Sequence, residues 1–230
     1  MKFGVVIFPG SNCDDDMIYV IEKIMEQKVV RLWHKDTDIK NVDAIVLPGG
    51  FSYGDYLRSG AIARYSPIME KVIEFANTGK YVFGVCNGFQ ILCETGLLPG
   101  ALLHNTNQKF ICKNIYIKAE NNNSFLTSMI TPGKTLKIPI AHGEGKYYAD
   151  KDTLSNMRLN NQIIFRYCDK NGNMSMDNNP NGSIESIAGV CNKNKNVFGM
   201  MPHPERASDS NLNNIDGKVI FESMLKILNT

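Results

Sequence analysis

A cysteine set between two glycines, in the segment FGVCNGFQIL at residues 83–92, is the first candidate for chemistry in this sequence. An apolar run typical of a β-strand precedes it and helical spacing follows. Gly84, Cys86 and Gly88 therefore fit the turn that presents a nucleophile between a strand and a helix. The N-terminus of that helix would lower the pKa of the thiol and favour the reactive thiolate. We interpret Cys86 as a candidate nucleophile, although free cysteines are often simply small core residues.

A histidine and a glutamate that could serve this cysteine occur in the segment MMPHPER near the C-terminus. A thiolate nucleophile needs a group that accepts and returns a proton, and that group needs an orienting partner. Prolines on both sides of His203 fix their own φ angles and would hold the imidazole in place. Glu205 could then accept a hydrogen bond from the second ring nitrogen. An ordinary loop histidine beside a solvated glutamate is the alternative interpretation.

Two adjacent glycines follow a predicted strand in the segment LPGGFSYGDY. Glycine lets a backbone adopt unusual φ angles and approach a substrate closely, so the chain at Gly49, Gly50 and Phe51 could donate an N–H to an oxyanion. The backbone N–H of Asn87, directly after the cysteine, could point at the same oxyanion. The alternative is a plain glycine turn, and the segment taken alone favours it.

The remaining cysteines and histidines offer no second catalytic group. We interpret His34 and His104 as structural, whereas no role for His142 follows from the spacing around it. No cysteines are paired as CxxC, and no Cys/His cluster has the spacing of zinc ligands. The other cysteines are interpreted as packing residues or, for the first of them, as a helix-entry residue: Cys13, Cys93, Cys112, Cys168 and Cys191.

The elements around these segments predict an α/β fold. In the first half of the chain apolar runs alternate with helical spacing, which is typical of crossover units and a mostly parallel sheet. Such a sheet binds ligands at the carboxyl ends of its strands, where the cysteine turn would lie. The predicted strands are 2–8, 29–33, 44–47, 81–85, 111–118, 135–140, 163–167, 186–191 and 197–201, and the predicted helices are 14–27, 67–77, 87–95 and 215–228. No internal repeat or long linker interrupts them, so we predict a single domain over residues 1–230.

Composition excludes several classes of protein. The formal net charge of +2 does not support a nucleic-acid binder, which would need a strongly basic surface. No apolar run approaches the roughly 20 residues that span a bilayer. The sequence contains no phosphate-binding loop for ATP. Scattered cysteines without a secretory signal predict a cytoplasmic protein with reduced thiols, and we expect no metal or cofactor in this chain.

Together the motifs resemble the class I glutamine amidotransferase family. The match extends nearly along the whole chain to one group within that family, the glutaminase subunits that serve a synthase of purine biosynthesis. The matching segments are PGSNCD at 9–14, LPGGFSYGDYLRSGAIAR at 47–64, GVCNGFQIL at 84–92, GLLPGAL at 96–102, IPIAHGEGKYYAD at 138–150, PNGS at 180–183 and GMMPHPERA at 199–207.

This resemblance implies a fold, a reaction and partners. The fold would be a flavodoxin-like three-layer sandwich with a mostly parallel central sheet. The reaction would be hydrolysis of L-glutamine to glutamate and ammonia, with the ammonia passed to a large synthase subunit that uses ATP and Mg, in a complex with a small bridging subunit. The implied catalytic residues are Cys86, His203 and Glu205, and the implied substrate-binding residues are Gln90, Gly50, Phe51 and Asn87.

Three alternatives remain open at this stage. The motifs at the cysteine and the histidine would also fit a glutaminase subunit that feeds a different synthase. A DJ-1/PfpI-like cysteine hydrolase could use a similar sheet, but its turn typically carries histidine after the cysteine, where this chain has Asn87. A binding module with a degenerate site is the third alternative, and the intact Cys86, His203 and Glu205 argue against it.

Overall fold

The computed structural model describes residues 1–230 and contains eleven β-strands. All nine predicted strands are present, and their ends differ from the predicted ends by no more than two residues. Two short strands, β5 and β8, were not predicted. The strands are β1 (Lys2–Ile7), β2 (Lys28–Trp33), β3 (Ala44–Leu47), β4 (Tyr81–Val85), β5 (Ala101–Leu103), β6 (Ile111–Ala119), β7 (Thr135–His142), β8 (Lys146–Tyr148), β9 (Ile163–Cys168), β10 (Ile187–Cys191) and β11 (Val197–Met200).

Nine of the strands form one sheet in the order β2-β1-β3-β4-β11-β10-β9-β6-β7, while β5 and β8 pair separately. The half from β2 to β11 is parallel, and the half from β11 to β7 is antiparallel. The predicted α/β class is confirmed. The crossover segments of the first half of the chain build the parallel half, because parallel neighbours need long connections.

Five α-helices accompany the sheet: α1 (Asp14–Tyr19), α2 (Pro67–Asn77), α3 (Asn87–Glu94), α4 (Lys151–Leu159) and α5 (Lys218–Leu228). The single helix predicted over 14–27 is wrong in its second half, because α1 passes into a π-helical segment, Val20–Ile24. Helix α4 was not predicted, because only Leu154 and Met157 of this polar helix are buried. None of the helices is long and apolar enough to cross a membrane.

A single hydrophobic cluster of 57 buried residues extends through both halves of the sheet. Aromatic rings join segments that are distant in sequence, because Phe125 stacks on Tyr81 of β4 at 4.2 Å between centroids and packs against Phe198 of β11 at 5.5 Å. The single domain over residues 1–230 stays a prediction, and this continuous core supports it.

Strand β7, at one edge of the sheet, contacts the segment that follows β11. The backbone N–H of His203 donates a hydrogen bond to the carbonyl of Pro139 in β7 at 2.9 Å. Strand β7 therefore lies beside the HPE segment, although the sheet order places β7 at the far edge from the parallel half. This return brings the end of β7 to the carboxyl end of β4, where the cysteine lies.

Close packing of α3 on the sheet depends on two glycines. A side chain at Gly88 would overlap the carbonyl oxygen of Leu47 in β3, and one at Gly84 would lie 2.6 Å from the backbone of Gly88. Backbone atoms cannot move aside as a flexible side chain can, so any other residue would push the helix away from the strand. The glycines of the predicted cysteine turn are therefore a steric requirement.

We expect Gly88→Ala to lower the free energy of unfolding by about 3 kcal/mol or to prevent folding, because α3 must shift away from β3. The matched control is Gly79→Ala, where the new methyl group meets nothing within 4 Å. Its positive φ alone should cost about 1–2 kcal/mol. Urea unfolding measures both variants, and equal losses of stability would contradict the steric account.

Candidate active site

Cys86 lies at the turn between β4 and α3 in a strained backbone conformation, with φ 49° and ψ −107°. Such a conformation costs a non-glycine residue about 1–3 kcal/mol and persists only where the surroundings impose it. Here the Cys86 N–H donates to the carbonyl of Met200 at 2.8 Å, and the N–H of Gln90 donates to the Cys86 carbonyl at 3.1 Å. The turn predicted for a nucleophile is thus present, held by β11 on one side and α3 on the other.

His203 and Glu205 form a buried pair. The distance from His203 Nδ1 to Glu205 Oε1 is 2.6 Å, and the two side chains are 1% and 0% exposed. Because an ionised carboxylate only accepts hydrogen bonds, Nδ1 carries a proton and donates it to Glu205. The other ring nitrogen, Nε2, is buried and has no hydrogen-bond partner.

Gly49 provides the space in which the imidazole and the thiol meet. A side chain at Gly49 would place its first carbon 2.6 Å from His203 Cε1 and 3.4 Å from Cys86 Cβ. The ring and the thiol therefore lie around the same point, which only glycine leaves open. The first glycine of the predicted oxyanion segment has a steric role between two catalytic candidates.

Opposite charges determine the protonation of His203. Burial disfavours the charged imidazolium, but the negative charges of Glu205 and of the Cys86 thiolate outweigh it and raise the pKa of His203 to about 10. At neutral pH the ring is therefore cationic. An imidazolium beside Cys86 stabilises a thiolate, which is the nucleophilic form of the residue.

The structure corrects one predicted oxyanion donor. The N–H of Phe51 donates to the carbonyl of Gly10 at 2.8 Å, so it is turned away from the cysteine. Gly50 precedes it with φ +137°, and a side chain there would lie 2.6 Å from the same carbonyl. Asn87 remains a suitable donor, because the first N–H groups of a helix such as α3 have no partner within the helix.

A cavity of about 150 Å³ opens beside Cys86. Gln90 lines this cavity and is only 5% exposed, so it is not a solvated helix residue. Its side chain donates to the carbonyl of Glu144 at 2.6 Å and accepts from the Asn87 side chain at 2.9 Å. Gly50 and Phe51 also line the cavity. The predicted substrate-binding side chain of Gln90 therefore holds neighbouring segments together at the cavity.

Two carboxylates at this cavity were not predicted as site residues. Asp55 accepts a hydrogen bond from the Asn87 side chain at 3.1 Å, and Glu144 accepts one from the Ser59 N–H at 3.1 Å. Burial, together with the smaller effect of the Glu144 charge, raises the pKa of Asp55 to about 6. Both belong to segments already singled out, FSYGDY and AHGEG, but nothing in the sequence shows that these segments meet.

The three remaining histidines occupy different environments. His34 is buried and bonded to the Tyr53 hydroxyl at 2.6 Å, which fits its interpretation as structural. His104 is exposed at the mouth of the cavity, 3.5 Å from Glu144, and its interpretation as a structural residue stays a prediction. His142 lines the cavity with Cys86 and is buried. The spacing of its segment gave no signal for this position.

We expect Glu205→Gln to slow the alkylation of Cys86 by iodoacetamide roughly tenfold at pH 7. Loss of the carboxylate charge lowers the pKa of His203, so the ring loses its proton at lower pH. Without the imidazolium beside it, the Cys86 thiolate forms only at higher pH. The measurement is the alkylation rate as a function of pH, with Cys86→Ala to identify the labelled thiol. The exposed Glu22→Gln serves as control. A rate profile that matches the wild type would show that Glu205 does not set this charge pair.

The sequence and the structure both match known glutamine amidotransferases. Residues 1–224 match the CobB/CobQ-like glutamine amidotransferase domain. The chain is 53% identical over 228 residues to "Phosphoribosylformylglycinamidine synthase subunit PurQ" of Acaryochloris marina, covering 99% of this chain and 97% of that one. The protein of the same name from Koribacter versatilis is 54% identical over 225 residues, covering 98% and 97%.

Solved structures show the same fold. A chain of the PurLQS structure from Thermotoga maritima superposes with a TM-score of 0.86 at 42% identity, covering 99% of this chain and 98% of that one. A glutamine amidotransferase from the same organism, at 14% identity, has a TM-score of 0.58, covers 99% and 93%, and shows the fold alone. The predicted resemblance to class I glutamine amidotransferases is confirmed.

Proposed function

This chain belongs to the family of CobB/CobQ-like glutamine amidotransferase domains, and we propose that it is the glutaminase subunit of phosphoribosylformylglycinamidine synthase. The observation that carries this function is the buried pair of His203 and Glu205 beside the strained Cys86, in a chain that matches such subunits over its whole length. A DJ-1/PfpI-like hydrolase would leave this pair unexplained.

Cys86, His203 and Glu205 act as nucleophile, proton carrier and orienting carboxylate. The Cys86 thiolate attacks the side-chain carbonyl carbon of L-glutamine, a C–S bond forms, and the oxyanion lies against the N–H of Asn87. The intermediate collapses as the C–N bond breaks, and the proton on His203 Nε2 passes to the departing nitrogen. Ammonia leaves, and a γ-glutamyl thioester remains on Cys86.

Hydrolysis of the thioester returns the site to its starting state. His203, now neutral, takes a proton from water as the water oxygen attacks the thioester carbonyl. The C–S bond breaks, the product leaves with a γ-carboxylic acid that gives its proton to water, and the thiolate and imidazolium are restored. Glu205 keeps its own charge throughout and stabilises the imidazolium in both steps.

The ammonia is used by partner subunits. A large synthase subunit uses ATP and Mg to convert formylglycinamide ribonucleotide to formylglycinamidine ribonucleotide, in de novo purine biosynthesis, and a small bridging subunit completes the complex. The assembly described as PurLQS from Thermotoga maritima supports this arrangement. We assign no cofactor to this chain. We place it in the cytoplasm, and its six free cysteines support a reducing compartment.

The two carboxylates at the cavity fit the cationic end of an amino-acid substrate. The α-ammonium group of glutamine carries a positive charge, and charge-assisted hydrogen bonds to carboxylates are among the stronger polar contacts. Asp55 and Glu144 lie in the same wall as Gln90. We assign these two side chains to the recognition of the α-ammonium group, while Cys86 receives the opposite end of the molecule.

We expect Cys86→Ala to reduce amidine formation from glutamine at least about a thousandfold in the complete complex, supplied with formylglycinamide ribonucleotide and ATP. Formation from added ammonium should persist, because the synthase reaction does not use the thiol. The matched control is Cys93→Ala, which removes another thiol from the same helix α3. Equal loss of the two activities, or no loss of either, would contradict the proposed function.

We expect Asp55→Asn to raise the KM for glutamine about tenfold at pH 8 with little change in kcat, because one charged contact is lost. The pKa of Asp55 is about 6, so its charge is present above that pH and lost below it. The wild-type KM should therefore rise as the pH falls through about 6, and the variant should lose this dependence. The exposed Asp152→Asn is the control, and an unchanged KM in Asp55→Asn would exclude the assignment.

A further inference from the structure

His142 is a buried histidine whose hydrogen bonds determine its tautomer. The Asn105 side chain donates from Nδ2 to the carbonyls of Lys109 and His142, at 2.8 and 2.9 Å, and accepts from the Gly145 N–H at 3.1 Å. These contacts fix Oδ1 as the atom that faces His142 Nδ1, also at 3.1 Å. Since Oδ1 can only accept, Nδ1 carries the proton, and in a neutral ring Nε2 carries a lone pair.

The Nε2 atom of His142 has no partner of its own. It is buried without a hydrogen bond, and the residue is only 3% exposed. The ring lies against the backbone of Gly145, where any side chain would overlap it. His142 lines the cavity with Cys86, and the Cys86 thiol lies 3.7 Å from the carbonyl of the preceding residue, Ala141. The residue that carries this rigidly held and unpartnered acceptor thus lines the cavity beside Cys86.

Two unpartnered ring nitrogens of opposite character therefore belong to this site. Burial and the nearby charge of His203 lower the pKa of His142 to about 4, so His142 is neutral where His203 is cationic. His203 Nε2 presents a proton, and His142 Nε2 presents a lone pair. A departing amine needs both a proton donor and a hydrogen-bond acceptor. Its nitrogen accepts one proton, while its own N–H groups still need an acceptor.

We propose that His142 is a further catalytic residue of the proposed glutaminase, whose Nε2 accepts a hydrogen bond from the N–H of the departing ammonia. His203 gives its proton to the nitrogen as the C–N bond breaks, and no proton passes to His142. The contact orients the leaving group towards His203 during the cleavage. At neutral pH, Nε2 of this weakly basic ring carries no proton. The ring therefore has none to give to ammonia, and the contact leaves the ammonia uncharged.

The test compares two substrates that form the same thioester. Glutamine leaves an amine with N–H groups, whereas the γ-methyl ester of glutamate leaves an alcohol that has no N–H to donate. In His142→Asn, the amide nitrogen can still donate to Asn105 but no atom replaces Nε2. In the assembled complex we expect kcat/KM for glutamine to fall about tenfold or more, and kcat/KM for the ester to change less than about twofold.

Two further variants complete the experiment. His142→Gln places an amide oxygen near the position of Nε2 and should recover part of the activity on glutamine. It also provides the comparison if His142→Asn does not fold. The control His34→Asn removes another buried histidine, away from the cavity, and should leave the ratio of the two substrates unchanged.

The outcomes separate this inference from the function on which it rests. Equal losses on glutamine and ester would show a structural role for His142 and overturn the inference, as would no loss on either substrate. In both cases wild-type cleavage of glutamine would leave the proposed function standing. A wild-type complex that cleaves the ester but not glutamine would instead overturn the proposed function.

Discussion

The buried ion pair of His203 and Glu205 is the interaction on which the rest of the site depends. A carboxylate and an imidazolium without access to water are stable only while each neutralises the other, and removing one leaves a buried charge that costs about 3–5 kcal/mol. The surrounding structure maintains this pairing. The carbonyl of Pro139 holds the backbone of His203, and the space at Gly49 lets the thiolate add the second negative charge. The return of β7 to the HPE segment is thus as necessary to the chemistry as the cysteine turn.

The same residue type takes opposite electrostatic roles because of its immediate partners. His203 faces a carboxylate and a thiolate, so it holds its proton, while burial and the positive charge of His203 keep His142 neutral. Behind the His142 ring lies the uncharged amide of Asn105, which offers no charge to offset the burial. Divergent protonation of two neighbouring groups is how a single site can supply both a donor and an acceptor at one pH.

Local patterns made the nucleophile and its partners predictable, whereas long-range contacts were hidden. The turn at Cys86 and the pair of His203 and Glu205 are each encoded within a few residues, so spacing and residue type identify them. The approach of Asp55 to Glu144 depends on how β7 closes against the parallel half of the sheet, which no local pattern describes. The direction of the Phe51 N–H depends on the rotation of one peptide group, and Gly50 permits more than one rotation. The polar helix α4 has too few buried residues for a periodic signal.

Amide side chains connect the separate motifs into one site. Asn87 accepts from the backbone of Ser52 and donates to Asp55 and Gln90, and Gln90 in turn donates to the carbonyl of Glu144. The first turn of α3 thereby holds the glycine-rich loop on one side and the segment that carries His142 on the other. The side-chain amide of Gln90 is thus committed to protein groups and holds the segment of Glu144 in place. The glutamine four residues after Cys86 is a structural link between the carboxylates that line the cavity and the segment that carries His142.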